Sequence, residues 1–509
     1  MSLDENERSS AYKTTRGAFY LMMKVLITSI LASGLFIFIA RFLPEVSDLG
    51  LVYGLLALIG LSVMLASLGL PIAASRFISS YIGSGKEDMA KSLHLLIFTI
   101  GLLSSVVISA ILYISAYSIA TVFFHNVLYV HLIHLASIDV FMYSMITFSI
   151  YLLYAAQQFR KVAVIAILNS LLRFAAAFVL LLLGLGVDGI VLGLIIGDVA
   201  SLVMYVNALK SKIRRGNSIH QIKPLLKYSM PLYGSTVLSL LATSADNYLV
   251  LILSGLYAAG IYSPAMAMGT ILVGMLGALG DSLLPYFSRI HGKSGLKSLS
   301  ESAKPASRYV FLIYVPFGIA TLVSAPSLIT GIFGERYSES TYPAVLIILA
   351  ITITSVGTVF NYIQISAGHT NVFLKSTGIG FAAQVAICIV TIPYAGALGA
   401  ALARLSSYII MFSYNTYKLK TMIGLNYDKD ALKIGVIGSV IMASIIFALN
   451  ITLSLKYYLP LSFMIGFLSY ILFLRFTRTM NAKDVEVISS ILPGKLRWMM
   501  AIITKVVIR

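Results

Sequence analysis

The sequence predicts an all-α polytopic membrane protein of about fourteen transmembrane helices, and three observations predict it. The 509-residue chain is 59% hydrophobic and 11% charged, with a mean hydropathy of +0.93. A water-soluble domain carries roughly 25% charged residues, so this chain cannot cover an aqueous surface. Apolar runs of about 20 residues, the length that crosses a hydrocarbon core, recur from end to end. Lysine and arginine, finally, alternate between loops instead of clustering.

The runs place spans at 18–41, 49–70, 92–116, 133–155, 162–184, 189–208, 229–254, 259–284, 308–333, 342–366, 373–393, 397–417, 433–452 and 456–475. Val187-Asp188-Gly189 and Pro393-Tyr394-Ala395-Gly396 are turns between antiparallel helices. Of the 37 basic residues, Arg41, Arg336 and Lys456 fall in one set of loops. Lys24, Arg173 and Arg404 fall inside the membrane, and all the others lie in loops of the opposite parity or in the termini. That bias sets an even number of spans with both termini cytoplasmic, and the expected location is the cell (plasma) membrane. The net charge of +18 is therefore topology rather than a nucleic-acid footprint.

The chain repeats itself. Tyr154–Val162 resembles Tyr362–Val372, Gly193–Lys212 matches Gly399–Lys418 at an offset of 206, and Gly50-Leu51-Val52-Tyr53 matches Gly260-Ile261-Tyr262 at about 210. Six spans separate each pair, so the repeat is parallel, with its axis along the membrane normal. The predicted layout is a cytoplasmic N-terminus (1–17), a lobe of spans 1–6 (18–215), a second lobe of spans 7–12 (216–420), two extra helices (421–476) and a cytoplasmic tail (477–509). The tail mixes Leu496, Trp498, Ile502 and Val506 with Lys495, Arg497 and Lys505, the pattern of an interfacial helix.

Enzymatic chemistry finds no support. The chain has no GxxxxGK[ST] phosphate loop, no HExxH, no dense His/Asp/Glu cluster, and one cysteine, Cys388, in an apolar run. No catalytic residue, metal ligand or cofactor is expected, apart from a coupling ion, H+ or Na+. The candidates for function are instead charges at membrane depth, which are costly there. Arg173 lies roughly 16 Å and Asp198 roughly 14 Å from the outer end of sequential antiparallel spans, so the two could pair. Asp246 and Arg404, roughly 12 and 10 Å deep, could pair as well. In the 206 register Asp198 and Arg404 are equivalent. Each pair is either a structural ion pair or part of a wet cavity that binds a charged headgroup. Lys24 either snorkels or faces that cavity. Asp139 and Asp281 sit nearer span ends and read as structural.

The chain resembles the polysaccharide transporter branch of the multidrug/oligosaccharidyl-lipid/polysaccharide exporter (MOP) superfamily, the Wzx-like flippases. The resemblance rests on Arg41-Phe42-Leu43 with Asp48-Leu49-Gly50-Leu51, Leu65 through Pro71, Arg76-Phe77-Ile78-Ser79 with Gly83-Ser84-Gly85-Lys86, and Ala245-Asp246-Asn247-Tyr248 with Ala259-Gly260-Ile261-Tyr262. The tail adds Asp484-Val485 and Leu492-Pro493. It implies two six-helix lobes around a partly cationic cavity and the flipping of a polyprenyl-(pyro)phosphate-linked oligosaccharide to the outer leaflet. The implied partners are that lipid-linked oligosaccharide, membrane lipids and glycosyltransferases of the same pathway, around a functional monomer. Lys24, Arg173 and Arg404 would meet the headgroup. Related lipid II flippases hold sodium with acidic groups in spans 7 and 11 and with span 12. Here Asp246 matches the first, while span 11 offers only Gln384 and span 12 carries Arg404. The rivals are a drug or small-molecule exporter of the same superfamily, with an acidic or aromatic cavity, and a lipid II-type flippase.

Overall fold

A computed structural model describes residues 5–210, 222–280, 283–368, 370–425, 427–452 and 459–479. The described chain is helical with short turns, and it contains no strand. Its helices are α1 (Glu5–Phe42), α2 (Val46–Ser67), α3 (Leu70–Gly83), α4 (Glu87–Ile114), α5 (Ala116–Phe123), α6 (Val130–Ala155), α7 (Phe159–Leu182) and α8 (Gly186–Leu209). They continue as α9 (Ile222–Gly280), α10 (Leu283–Phe333), α11 (Thr341–Ser366), α12 (Thr370–Ile423), α13 (Lys429–Thr452) and α14 (Leu459–Phe476). Eleven stretches are long and apolar enough to cross a membrane, and Pro460–Phe476 is a shorter apolar helix. Leu103, Val390 and Phe447 are more than half exposed. Such faces are stable against lipid and not against water. This is a multi-pass membrane protein.

Two of the eleven, Lys227–Val273 and Asn371–Ile423, hold 47 and 53 residues. Straight, either would run roughly 70–80 Å, over twice the hydrocarbon thickness. Each is broken by a glycine: Gly255 at φ 77, ψ −170, and Gly396 at φ 49, ψ −126. A side chain is strongly disfavoured in those conformations. In α12 the break reverses the chain. Thr391 donates to the Gly399 carbonyl (3.0 Å), Ser407 to Gly380 (2.8 Å) and Ser376 to Met411 (3.4 Å), so the arms pack antiparallel. The turn falls at the Pro393–Gly396 segment that the sequence marks.

The second expected span, 49–70, is met by α2 (Val46–Ser67), and a further short helix follows where the sequence reading has a loop. Leu68 and Gly69 are both left-handed (φ 51 and 67), and Pro71 restarts the chain as α3, an element absent from the sequence reading. Further left-handed positions carry the repeat in the backbone. Gly85 pairs with Gly295, His125 with Gly334, Gln157 with Gly368 and Gly186 with Gly396, all at offsets of 209–211. The turn register of 210 corrects the 206 register inside the last hairpin. Under it the counterpart of Asp198 is Tyr408, and Arg404 stands one helical turn nearer the turn. Glycine-rich helices tolerate a four-residue slip because it preserves the face.

The chain divides into two compact units, Met1–Gly260 and Ile261–Arg509. The division falls one helix beyond the repeat boundary at 215/216, because the 222–254 arm of α9 packs on α2 and α3. Tyr248 donates to the Ala57 carbonyl (3.2 Å), and Tyr228 meets Phe77 edge-on at 5.7 Å. A methyl on Gly50 would strike the Leu256 carbonyl, and one on Gly260 would strike the Val46 carbonyl. Since 46 and 256 are as far apart as 50 and 260, this contact is reciprocal, as between two-fold-related surfaces. In the second unit α13 and α14 pack on α10 through Tyr470, which donates to the Leu312 carbonyl (2.9 Å), and through Arg308 with Asp428 (3.5 Å). The polar N-terminus forms, from Glu5, the first turns of α1. Residues 1–4 and 480–509, including the expected interfacial tail helix, and Asp281 lie outside the described residues.

Candidate functional site

In the first unit, α7 and α8 form a hairpin joined at Leu183–Leu185, with Gly184 at φ +84. Gly189, Gly193 and Gly197 recur every fourth residue along one face of α8. Added methyls there would strike Leu180, Ala177 and Arg173 of α7, respectively. Small residues at this spacing let membrane helices approach backbone to backbone. At Gly197 the absent side chain makes room for the stem of Arg173, whose Cγ lies 2.5 Å from where a Cβ would stand.

The close approach brings Arg173 and Asp198 together. Nε donates to Oδ1 at 2.6 Å and Nη2 to Oδ2 at 2.5 Å, a two-point fork. Asn169, one turn before Arg173, points its Nδ2 at Asp198 Oδ1 (2.8 Å), Ser201 Oγ (2.8 Å) and the Gly197 carbonyl (3.1 Å). From α6, Tyr143 lies under the guanidinium, 4.9 Å from ring centre to Cζ. Asp139, one turn earlier on α6, approaches Nη2 to 3.9 Å. The Asp198 and Asp139 side chains are 0% and 1% exposed, and that of Arg173 is 20% exposed. One face of the arginine is thus open.

That open face borders a cleft of about 160 Å³, lined among others by Leu35 and Ile39 of α1, Val52 of α2, Ser170 and Arg173 of α7 and Leu194 of α8. At roughly 30 Å³ per water, this space holds a phosphate-sized group but no sugar chain. Lys24, on α1, lies at the opposite, basic-loop end. Its Nζ donates to Tyr154 Oη at 3.2 Å. Tyr143 and Tyr154 are both on α6, so Arg173 and Lys24 form two stations roughly 16 Å apart along that helix.

The remaining predicted residues lie elsewhere. Asp246 is buried in the 222–254 arm, where its Oδ1 accepts from the Asn247 amide at 3.0 Å. It falls in the first unit and Arg404 in the second. Arg404 is buried at 4% exposure, and its Nη1 donates to Tyr408 Oη at 3.1 Å. Gln384 is fully buried on the first arm of α12, and neither of its amide atoms makes a hydrogen bond. The arm register, Ser407 on Gly380 and Ser376 on Met411, sets Gln384 level with Arg404.

The sequence reading missed Asn169, Ser201 and Tyr143, and it misplaced Asp139. α6 begins at Val130, after a short turn of 3₁₀ helix, three residues before the expected start. Asp139 is therefore roughly 14 Å inside the helix rather than near its end. Two signals were available. Asn169 stands four residues before Arg173, and Ser201 three after Asp198, both spacings that share a helix face. Among the described residues no three His, Cys, Asp or Glu side chains converge as for a metal.

The family described as "Polysaccharide biosynthesis protein" matches residues 38–342. The chain belongs to that family. An uncharacterised membrane protein of Methanocaldococcus jannaschii is 22% identical over 436 residues, spanning 81% of this chain and 85% of the relative. Among solved structures, the lipid II flippase MurJ in an inward closed conformation superposes with a TM-score of 0.73 at 16% identity, covering 91% of this chain and 99% of that one. An inward-facing multidrug resistance MATE transporter of the MOP superfamily gives a TM-score of 0.64, at 16% identity, over 80% of this chain and 98% of the other. This polysaccharide biosynthesis family member therefore has the fold those flippases and transporters share.

Proposed function

We propose that the protein is a flippase that carries a polyprenyl-(pyro)phosphate-linked oligosaccharide from the cytoplasmic to the outer leaflet by alternating access. The observation that carries this reading is Arg173, a guanidinium at mid-membrane depth with one open face on a phosphate-sized cleft. A buried cation is costly in lipid and is retained where it binds something. Arginine matches the planar, two-point geometry of phosphate. Lys24 offers a second cationic station towards the basic-loop end, where the headgroup enters. The cleft admits the phosphate, the sugars extend into wider aqueous space, and the prenyl tail stays in lipid. The same reading places the chain in the plasma membrane with fourteen spans and both termini cytoplasmic, as a monomer that draws substrate from glycosyltransferases of the same pathway. Asp246, Gln384 and Arg404 would set the charge balance of the second lobe, with Arg404 standing where a coupling cation would otherwise sit.

A second reading, export of an organic cation, is favoured by one observation. Arg173 faces two carboxylates, Asp139 and Asp198, so the cluster carries net negative charge when both are ionised.

Proteoliposomes separate the two. Inner-leaflet prenyl-diphosphate oligosaccharide should become accessible to an impermeant glycosidase at a rate set by the protein, while a lipophilic cation is not moved. Cation export without glycan flipping would overturn the proposal.

A further inference from the structure

The charge count around Arg173 has a consequence for any anion that binds there. Asp198 is saturated by the two-point arginine contact and by Asn169, whereas neither carboxylate oxygen of the fully buried Asp139 accepts a hydrogen bond. A buried ionised carboxylate without hydrogen bonds is strongly disfavoured. With both aspartates ionised, an arriving phosphate would leave three negative groups around one guanidinium, two more than it can neutralise, and buried unneutralised charge is strongly disfavoured.

We propose that anion binding at Arg173 is linked to proton uptake by the Asp139–Asp198 carboxylate pair. This rests on the headgroup reading of Arg173. The proton comes from solution and lands on a carboxylate oxygen of the pair. Asp198 then loosens its hold, and the guanidinium turns its donors to the phosphate. Two close carboxylates titrate as a unit, so the proton belongs to the pair. Its release when the anion leaves restores the arginine–Asp198 fork. The headgroup and a proton therefore occupy the site together, and the site rejects the headgroup when proton supply falls.

The groups that face the pair are few. Arg173 comes from α7 and Asp198 from α8, which also carries the buried Tyr205 within reach of the Asp198 charge, while Tyr143 on α6 contacts the arginine itself. On α4, Ser109 reaches the Ser137 carbonyl, and the nearest titratable residue is Tyr113, which stacks on His134 towards the outer end of α6. α2 offers Tyr53, which packs on Phe36 of α1. α3 meets α6 at its basic-loop end, through Ser79 and the Ala155 carbonyl. α5, which carries Tyr117, meets it near the outer end.

The test is calorimetric titration of the purified full chain with a short-chain prenyl phosphate glycoside. This phosphodiester has one fixed charge, so the probe does not titrate. Binding is measured between pH 6 and 9 in two buffers of different ionisation enthalpy. The wild type should take up about one proton per bound anion, with affinity falling roughly tenfold per pH unit at the alkaline end. D139N, which keeps shape and removes one charge, should bind more tightly at alkaline pH and flatten that slope. If D139N fails to remain monodisperse, the wild-type proton count and D198N decide alone. Anion binding that is lost in R173A yet exchanges no proton in the wild type would overturn the linkage and leave the headgroup reading standing. Equal binding by R173A and wild type would overturn both.

Discussion

The two hairpins, α7–α8 in one unit and α12 in the other, start from the same turn and end with different electrostatics. Gly186 and Gly396 both sit at positive φ (52 and 49), and each hairpin sets one arginine level with a polar side chain on the other arm. In the first, Arg173 is locked to Asp198 in a two-point fork. In the second, Arg404 donates to Tyr408 on its own arm, and neither amide atom of the Gln384 side chain makes a hydrogen bond. One scaffold thus carries an arginine forked onto an aspartate in one unit and an arginine in contact with a tyrosine in the other. Repeat symmetry constrains the backbone and leaves the chemistry free to diverge.

The comparison yields graded expectations. The largest effect should come from Asp198→Leu, which removes both short hydrogen bonds to Arg173 and leaves it only Asp139 at 3.9 Å. Loss of about 3–5 kcal/mol is expected, read as a collapse of the detergent-solubilised thermal transition. Tyr408→Phe, which removes the hydrogen bond that Arg404 donates and keeps the ring, should cost clearly less, about 1 kcal/mol. Equal losses would erase the distinction between the hairpins.

Packing comes next. Gly197→Val drives a side chain into the Arg173 backbone, whose nitrogen lies 2.9 Å from the ideal Cβ, and should destabilise by about 3 kcal/mol. Gly380→Val meets side chains rather than backbone, chiefly the flexible Met411 with Ser407 Oγ at 3.2 Å, and should cost about 1 kcal/mol. The smallest effect should be Thr391→Val, which removes one bond across the α12 turn and costs about 0.6 kcal/mol by the average for interhelical bonds in membranes.

Much of this architecture is visible in the residues alone. Hydropathy and the Lys/Arg bias describe the membrane class because lipid imposes a single strong rule on every span. The α12 hairpin turns at the expected Pro393–Gly396, whereas the α7–α8 turn falls at Leu183–Leu185 and the expected Val187-Asp188-Gly189 forms the first turn of α8, where Asp188 favours the helix N-terminus. The Arg173–Asp198 meeting follows from equal depth in antiparallel neighbours. α3 escapes because Leu68 adopts a left-handed turn that leucine does not advertise, inside an unbroken apolar run. Asp139 escapes because helix starts are the least legible feature of a greasy chain, and three residues at Val130 shift it from the rim to the Arg173 cluster. The two units, and the 222–254 arm that joins the first, depend on tight glycine contacts such as Gly50 with Leu256, which no local pattern announces.

The central claim is that Arg173 meets an anionic headgroup and does more than balance Asp198. The neutral pair R173Q/D198N tests it most directly, because it removes both charges together and keeps the hydrogen-bonding shape. The double variant should insert, remain monodisperse and unfold near the wild-type temperature, while flipping of a prenyl-diphosphate oligosaccharide in proteoliposomes falls at least tenfold. Flipping at the wild-type rate by that variant would contradict the account and leave the Arg173–Asp198 fork as a purely structural ion pair.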